Sequence, residues 1–199
     1  MLIGLDFDNT LVIYDELFEK VENEKGVTSN EALKNKRSIR DYLRSVDKEE
    51  LFTEIQGEVY GKRIIEARAA NNMINTLIEL KERGIRLTIV SHKTKTPYKG
   101  PKYDLHASAW GWIKENLKDQ DGMQLIGEKD VYFEETKEKK INRIKECKCT
   151  HFIDDLPEIL EMIDDKVVRI LYSSDNKPEG DGIKVMSNWT QLKRILDDG

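Results

Sequence analysis

From residue 84 onward, short apolar runs alternate with helix-patterned segments, and that alternation limits the possible folds more than any other feature of the chain. The runs at 85–90, 131–133, 152–153 and 167–172 show little in-out alternation of apolar and polar residues. Such runs suit strands buried on both faces. Strands alternating with helices specify an α/β fold, a parallel sheet covered on both sides. The run at 2–7 adds an opening strand. Ligands of such sheets gather outside the carboxyl ends of the strands.

Several of these ends carry reactive residues. The first run closes on Asp6-Phe7-Asp8-Asn9-Thr10, the 85–90 run on Ser91-His92-Lys93, and Phe152-Ile153 on Asp154-Asp155. Carboxylates left unpaired beside a core are costly, so a cation or a substrate is expected there. Two acidic strand ends in one chain suggest a single site holding a divalent metal. A parallel sheet would bring them to one crevice despite their separation in sequence.

The stretch from 15 to about 83 reads as helical. Thr28-Ser29-Asn30-Glu31 resembles a capping box ahead of Ala32, Leu33 and Ile39. Asp47 and Glu50 open a segment carrying Leu51, Ile55 and Val59, and a last helix bears Met73, Leu77 and Leu80 with Gly84 as its cap. Further helices are expected at 105–117, at 136–146 with Ile141 and Ile144 inward, from Pro157, and from Ser187 after a polar loop at 173–182. Trp110 and Trp112 cannot both face the core from one helix, and packing explains either.

Composition narrows the function. A net charge of −5 provides no basic field to attract a nucleic-acid polymer. No stretch approaches the about 20 apolar residues of a membrane span. The chain enters its first strand without the charged-then-apolar layout of a signal peptide, so a cytoplasmic location is expected. Cys147 and Cys149 lie too close for an easy mutual disulfide. With His151 they form a Cys-x-Cys-x-His cluster, but no second pair completes a four-ligand zinc site. They read as half-buried thiols approaching a strand.

The ordered set of strand ends resembles the haloacid dehalogenase-like hydrolase superfamily, mostly magnesium-dependent phosphatases. Asp6-Phe7-Asp8-Asn9-Thr10 matches its Asp-x-Asp-x-Thr motif, Ser91 its Ser or Thr closing a strand, and Asp154-Asp155 its later acidic pair. The resemblance implies a Rossmann-like three-layer α/β/α core with a parallel sheet and an inserted α-helical cap. Residues 1–14 and 76–199 would form the core and 15–75 the cap. Asp6 would be the nucleophile that forms an aspartyl-phosphate, and Asp8 the acid/base that serves the leaving alcohol and then the water. Ser91 would donate to the phosphoryl group. A lysine, Lys140 or its rival Lys137, would neutralise Asp6 and the phosphoryl oxygens. Lys140 is favoured because Lys140-Ile141 opens the inward face of its helix.

Mg2+ would be held by Asp6, the Asp8 main-chain carbonyl and Asp154, with Asp155 nearby or bound through water. Thr10, His92 and Lys93 are assigned to substrate contact, and the cationic loop at 93–102 suits a second anionic group on the substrate. The expected activity is hydrolysis of a small phosphorylated metabolite. A phosphomutase on the same core and a catalytically silent binding module are the alternatives. Halide removal has no need of Asp8, and an ATP-driven pump would need membrane spans.

Overall fold

In the computed structural model, residues 1–27, 34–173 and 182–197 are described. The Thr28-Ser29-Asn30-Glu31 cap and most of the 173–182 loop lie outside them. In chain order the elements are β1 (Leu2–Leu5), β2 (Val12–Ile13), α1 (Asp15–Glu24), α2 (Lys36–Ser45), α3 (Glu49–Tyr60) and β3 (Arg68–Ala69). There follow α4 (Met73–Glu82), β4 (Arg86–His92), α5 (Leu105–Asn116), β5 (Val131–Glu134) and α6 (Lys137–Glu146). The chain continues through β6 (His151–Asp154), α7 (Pro157–Glu161), β7 (Val168–Tyr172), β8 (Ile183–Met186) and α8 (Leu192–Asp197). No helix of the described residues is long and apolar enough to cross a membrane.

Two compact units divide the chain. The first comprises Met1–Val12, Ala69–Lys93 and Asn116–Gly199, the second Ile13–Arg68 and Thr94–Glu115. The sequence reading groups 94–115 with the core, whereas this segment packs with residues 13–68. β2 and β3 pair with each other, and each falls where the chain passes between units.

The first unit is a Rossmann-like α/β fold, a six-stranded sheet of order β5-β4-β1-β6-β7-β8 flanked by helices. Every neighbouring pair is parallel. Winding runs outward from β1 through β4 to β5, then returns to β6 and runs outward the other way. The reversal puts the topological switch point at the carboxyl ends of β1 and β6, where ligands of such sheets bind. All four residues of β1 are buried, as a central parallel strand requires. Gly4 admits a close approach there, since a Cβ would lie 2.5 Å from the Phe152 ring and 2.9 Å from Cys149 Sγ. Phe152 packs in turn with Leu2, Ile144, Leu160 and Leu171. β8 is the one strand of this sheet for which the sequence reading assigns no element. Its pattern, Ile183-Lys184-Val185-Met186, is an edge strand buried only at its two ends.

The second unit is helical. Phe18 of α1 stacks on Phe52 of α3 at 6.0 Å and meets Tyr60 edge-on at 5.9 Å. Asn35 caps α2 by accepting from Ser38 N at 2.8 Å, with Ser38 Oγ accepting from Asn35 N at 3.3 Å. This reciprocal box fixes the start of a helix whose buried face is Ile39 and Leu43. On α5, Trp112 is fully buried and donates its indole N–H to Ala67 O at 2.8 Å, while Trp110 is half-buried.

Candidate active site

The site grows from the turn after β1. Asp6 N donates to Ile153 O at 2.9 Å, so the ladder holds the aspartate one residue past the strand. The chain then turns sharply. Asn9 adopts a left-handed φ of 59°, Asn9 N donates to Val12 O, and Leu11 N donates to Phe7 O. Asparagine tolerates that conformation better than most side chains. Its amide also reaches Asp155 Oδ2 at 3.4 Å. Phe7 is fully buried, so Asp6 and Asp8 flank an anchored ring.

Two side chains donate to Asp6. Ser91 Oγ donates to Asp6 Oδ1 at 2.9 Å, and Lys140 Nζ donates to the same oxygen at 2.6 Å. Lys140 also donates to Asp154 Oδ2 at 2.6 Å, and Asp154 Oδ1 accepts the Leu156 N–H at 3.0 Å. Asp6, Ser91, Lys140 and Asp154 are all buried. Lys137 is elsewhere, half-exposed and paired with Glu158 at 2.6 Å. Thr136 caps α6, and Lys140 and Ile144, four residues apart, are the buried face of that helix.

Charge is unbalanced here. One oxygen from each of Asp6, Asp154 and Asp155 lies within 4.8 Å of the others. Burial and the neighbouring Asp6 push the Asp154 carboxyl up to about 7, against the pull of Lys140. Burial at its carboxyl, with Asp6 and Asp154 beside it, raises half-buried Asp155 well above the usual carboxylate range. Burial disfavours the Lys140 ammonium, yet Asp6 and Asp154 outweigh it and hold the lysine above its ordinary value. One ammonium among three carboxylates leaves room for more positive charge.

The donor set suits a hard cation. An octahedral ion with metal–oxygen distances of about 2.1 Å takes ligand oxygens about 2.9 to 4.2 Å apart. A set whose oxygens all lie within 4.8 Å of one another is close to that range.

The remaining expected residues take different places. Thr10 is fully buried, its carbonyl accepting from the Trp189 indole at 3.3 Å. Among the described residues, its hydroxyl finds no hydrogen-bond partner. His92 is exposed, with Nε2 3.2 Å from Glu135 O. Lys93 is only 4% exposed, and its ammonium donates to both oxygens of Asp8, at 3.0 and 2.8 Å. The sequence reading left Lys93 in a rim loop and missed this pairing. Its signal was the period of two: at the end of β4, Ser91 and Lys93 share a face and His92 takes the other. The two thiols play no part in the acidic cluster. Cys147 is half-buried, and burial pushes the Cys149 thiol up to about 12.

No protein-family model matches the sequence, and no curated protein matches it. Solved structures do share its fold. A HAD family hydrolase from Deinococcus radiodurans, with bound phosphate and sodium, has a TM-score of 0.55 at 14% identity, the match covering 99% of this chain and 95% of that one. A HAD phosphatase from Thermococcus onnurineus has a TM-score of 0.51 at 16% identity over 98% and 97% of the two chains. A dehalogenase has a TM-score of 0.57 at 12% identity over 98% and 96%. At such identities the likeness establishes the fold, that of HAD-superfamily hydrolases.

Proposed function

We propose that this chain is a magnesium-dependent phosphatase that cleaves a small phosphomonoester through an aspartyl-phosphate on Asp6. The reading rests above all on one observation: Ser91 and Lys140 both donate to Asp6 Oδ1, and Lys140 bridges onward to Asp154. Phosphomonoesters are among the slowest esters to hydrolyse uncatalysed, so a catalyst must position the reactants and neutralise charge. Two fixed donors on one oxygen orient the carboxylate and present its other oxygen to phosphorus.

In the first half-reaction a bond forms between Asp6 and phosphorus as the bond from phosphorus to the alcohol oxygen breaks. Protonated on one oxygen, with Lys93 then held by the other, Asp8 gives the leaving oxygen its proton. In the second half a water oxygen bonds to phosphorus, Asp8 takes the proton from the water, and Asp6 leaves as a carboxylate. Ser91 and Lys140 stay in place, able to contact the phosphoryl oxygens as charge shifts onto them. Asp6, Asp154 and the Asp8 carbonyl would hold magnesium, with Asp155 nearby or bound through water, and the ion would supply the positive charge an anionic ester needs beside these carboxylates.

The test is phosphate release by the purified protein from a panel of phosphomonoesters. Release should require magnesium, stop with a chelator and fall about 10⁴-fold or more in Asp6→Asn. Halide release from haloacids, with no phosphate released from any ester, would replace this reading with dehalogenation. No release of either kind, with no beryllofluoride adduct trapped on Asp6, would leave only a binding module.

A further inference from the structure

On the phosphatase reading, the pair of Lys93 and Asp8 lies where the alcohol of a phosphate ester would leave. Lys93 follows the end of β4, and its backbone N–H donates to Glu134 O at 2.9 Å, so the strand pairing with β5 runs on through it. Its Nζ lies 2.8 Å from Asp8 Oδ2, 3.0 Å from Asp8 Oδ1 and 5.6 Å from the centre of the Phe7 ring. The side chain is 2% exposed and that of Asp8 20%. Two residues earlier, Ser91 Oγ touches Asp6. One strand end thus sends a hydroxyl to the attacking carboxylate and an ammonium to the acid/base.

That arrangement constrains the substrate. To serve the ester oxygen, a carboxyl of Asp8 must come within about 3 Å of it. An ammonium in contact with both Asp8 oxygens is then within roughly 6 Å of that oxygen. On that reading, whatever is attached to the ester oxygen lies near a buried cation on a backbone pinned by the sheet. Charge interactions of a desolvated ammonium are stronger than those of an exposed one. A carboxylate two or three bonds from the ester oxygen falls inside that reach; an apolar leaving group places hydrocarbon against the charge.

We propose that Lys93 determines specificity by reading a carboxylate on the leaving alcohol, so that the substrate is a phosphorylated small hydroxy acid. This rests on the phosphatase reading above and adds the class of alcohol released.

The experiment compares kcat/KM with magnesium on 2-phosphoglycolate and on ethyl phosphate, which share a two-carbon frame and differ in the carboxylate. 4-Nitrophenyl phosphate serves as a general reporter of turnover. The native protein should favour phosphoglycolate by 10-fold or more. In Lys93→Met the preference should fall to within about 2-fold, chiefly through a raised KM for phosphoglycolate, and Lys93→Arg should restore part of it. Equal efficiencies in the native protein, with turnover intact, would overturn the role of Lys93 and leave the phosphatase reading standing. So would a preference that Lys93→Met leaves unchanged. If Lys93→Met does not fold, the native ratio together with Lys93→Arg decides the matter. No turnover of any of the three esters would overturn both readings.

Discussion

The sheet-bearing unit buries its principal ion pairs, whereas the helical unit keeps its own near the surface. The side chains of Lys140 and Asp154 are 2% and 0% exposed, against 55% and 34% for Lys20 and Glu66. In the helical unit Arg63 binds Glu24 and Glu66, Lys25 binds Glu58 and Lys99 binds Glu50. Surface pairs of this kind contribute little each, because water and salt screen them. Burying a pair costs several kcal/mol of desolvation per ion, which mutual attraction does not reliably repay. A cluster of Asp6, Lys140 and Asp154 is therefore a poor way to stabilise a sheet, and on the proposed function it holds the attacking carboxylate in place. The same residue types lie near the surface in one unit and, on the proposed function, serve chemistry in the other.

The sharpest test of that contrast is Lys140→Met. Removing the cation leaves Asp6 and Asp154 buried against each other, and breaking a buried pair typically costs about 3–5 kcal/mol. Turnover should fall about 10²–10³-fold. Denaturant unfolding with and without magnesium separates the two effects, because the ion should restore part of the stability and little of the rate. Unchanged stability would show the sheet unit to be as indifferent to its ion pairs as the helical unit.

Next comes packing, where the two units should respond alike. Gly4→Ala would drive a methyl against the Phe152 ring, and in the helical unit Gly61→Ala would bring one within 2.6 Å of Tyr103 Cβ and 2.8 Å of Gly57 O. Each overpacking should cost about 1–3 kcal/mol. Hydrogen exchange should locate the loss in the sheet for Gly4→Ala and in the helices for Gly61→Ala.

A smaller effect is expected from Arg63→Met, about 1 kcal/mol or less. Hydrogen bonds from Arg63 and Lys20 lower the Glu66 carboxyl to about 2 from an ordinary 4.5. A carboxyl lowered on folding stabilises the protein above its unfolded value and loses that contribution as pH falls from 4.5 toward 2. In that window the native protein should lose stability on acidification more steeply than Arg63→Met, as thermal melts across the range would show. Smallest of all, Lys137→Ala should move stability by less than about 0.5 kcal/mol and leave phosphate release unaltered. A large loss of rate there would place the active-site lysine one turn from Lys140.

Much of the sheet was legible because a strand buried on both faces needs consecutive apolar residues. Leu2-Ile3-Gly4-Leu5 and Leu87-Thr88-Ile89-Val90 leave few other readings. β8 was not legible: an edge strand half-buried at its middle carries Lys184 between Ile183 and Val185 and follows a polar segment. The helical unit was legible as helix, yet the cap of α2 is Asn35, and the join of Thr94–Glu115 to it has no local signature. That join depends on contacts such as Trp112 with Ala67, 45 residues apart.

Local patterning alone determined that carboxylates stand at the ends of two parallel strands, because apolar run length and residue order are properties of short segments. Which lysine reaches Asp6, and that Lys93 lies inward against Asp8 while His92 faces out, only the tertiary structure decided. Along a helix or past a strand end, the direction of a charged side chain depends on the counter-charge the fold places opposite it. For Lys140 those charges are Asp6 and Asp154, brought from 134 and 14 residues away.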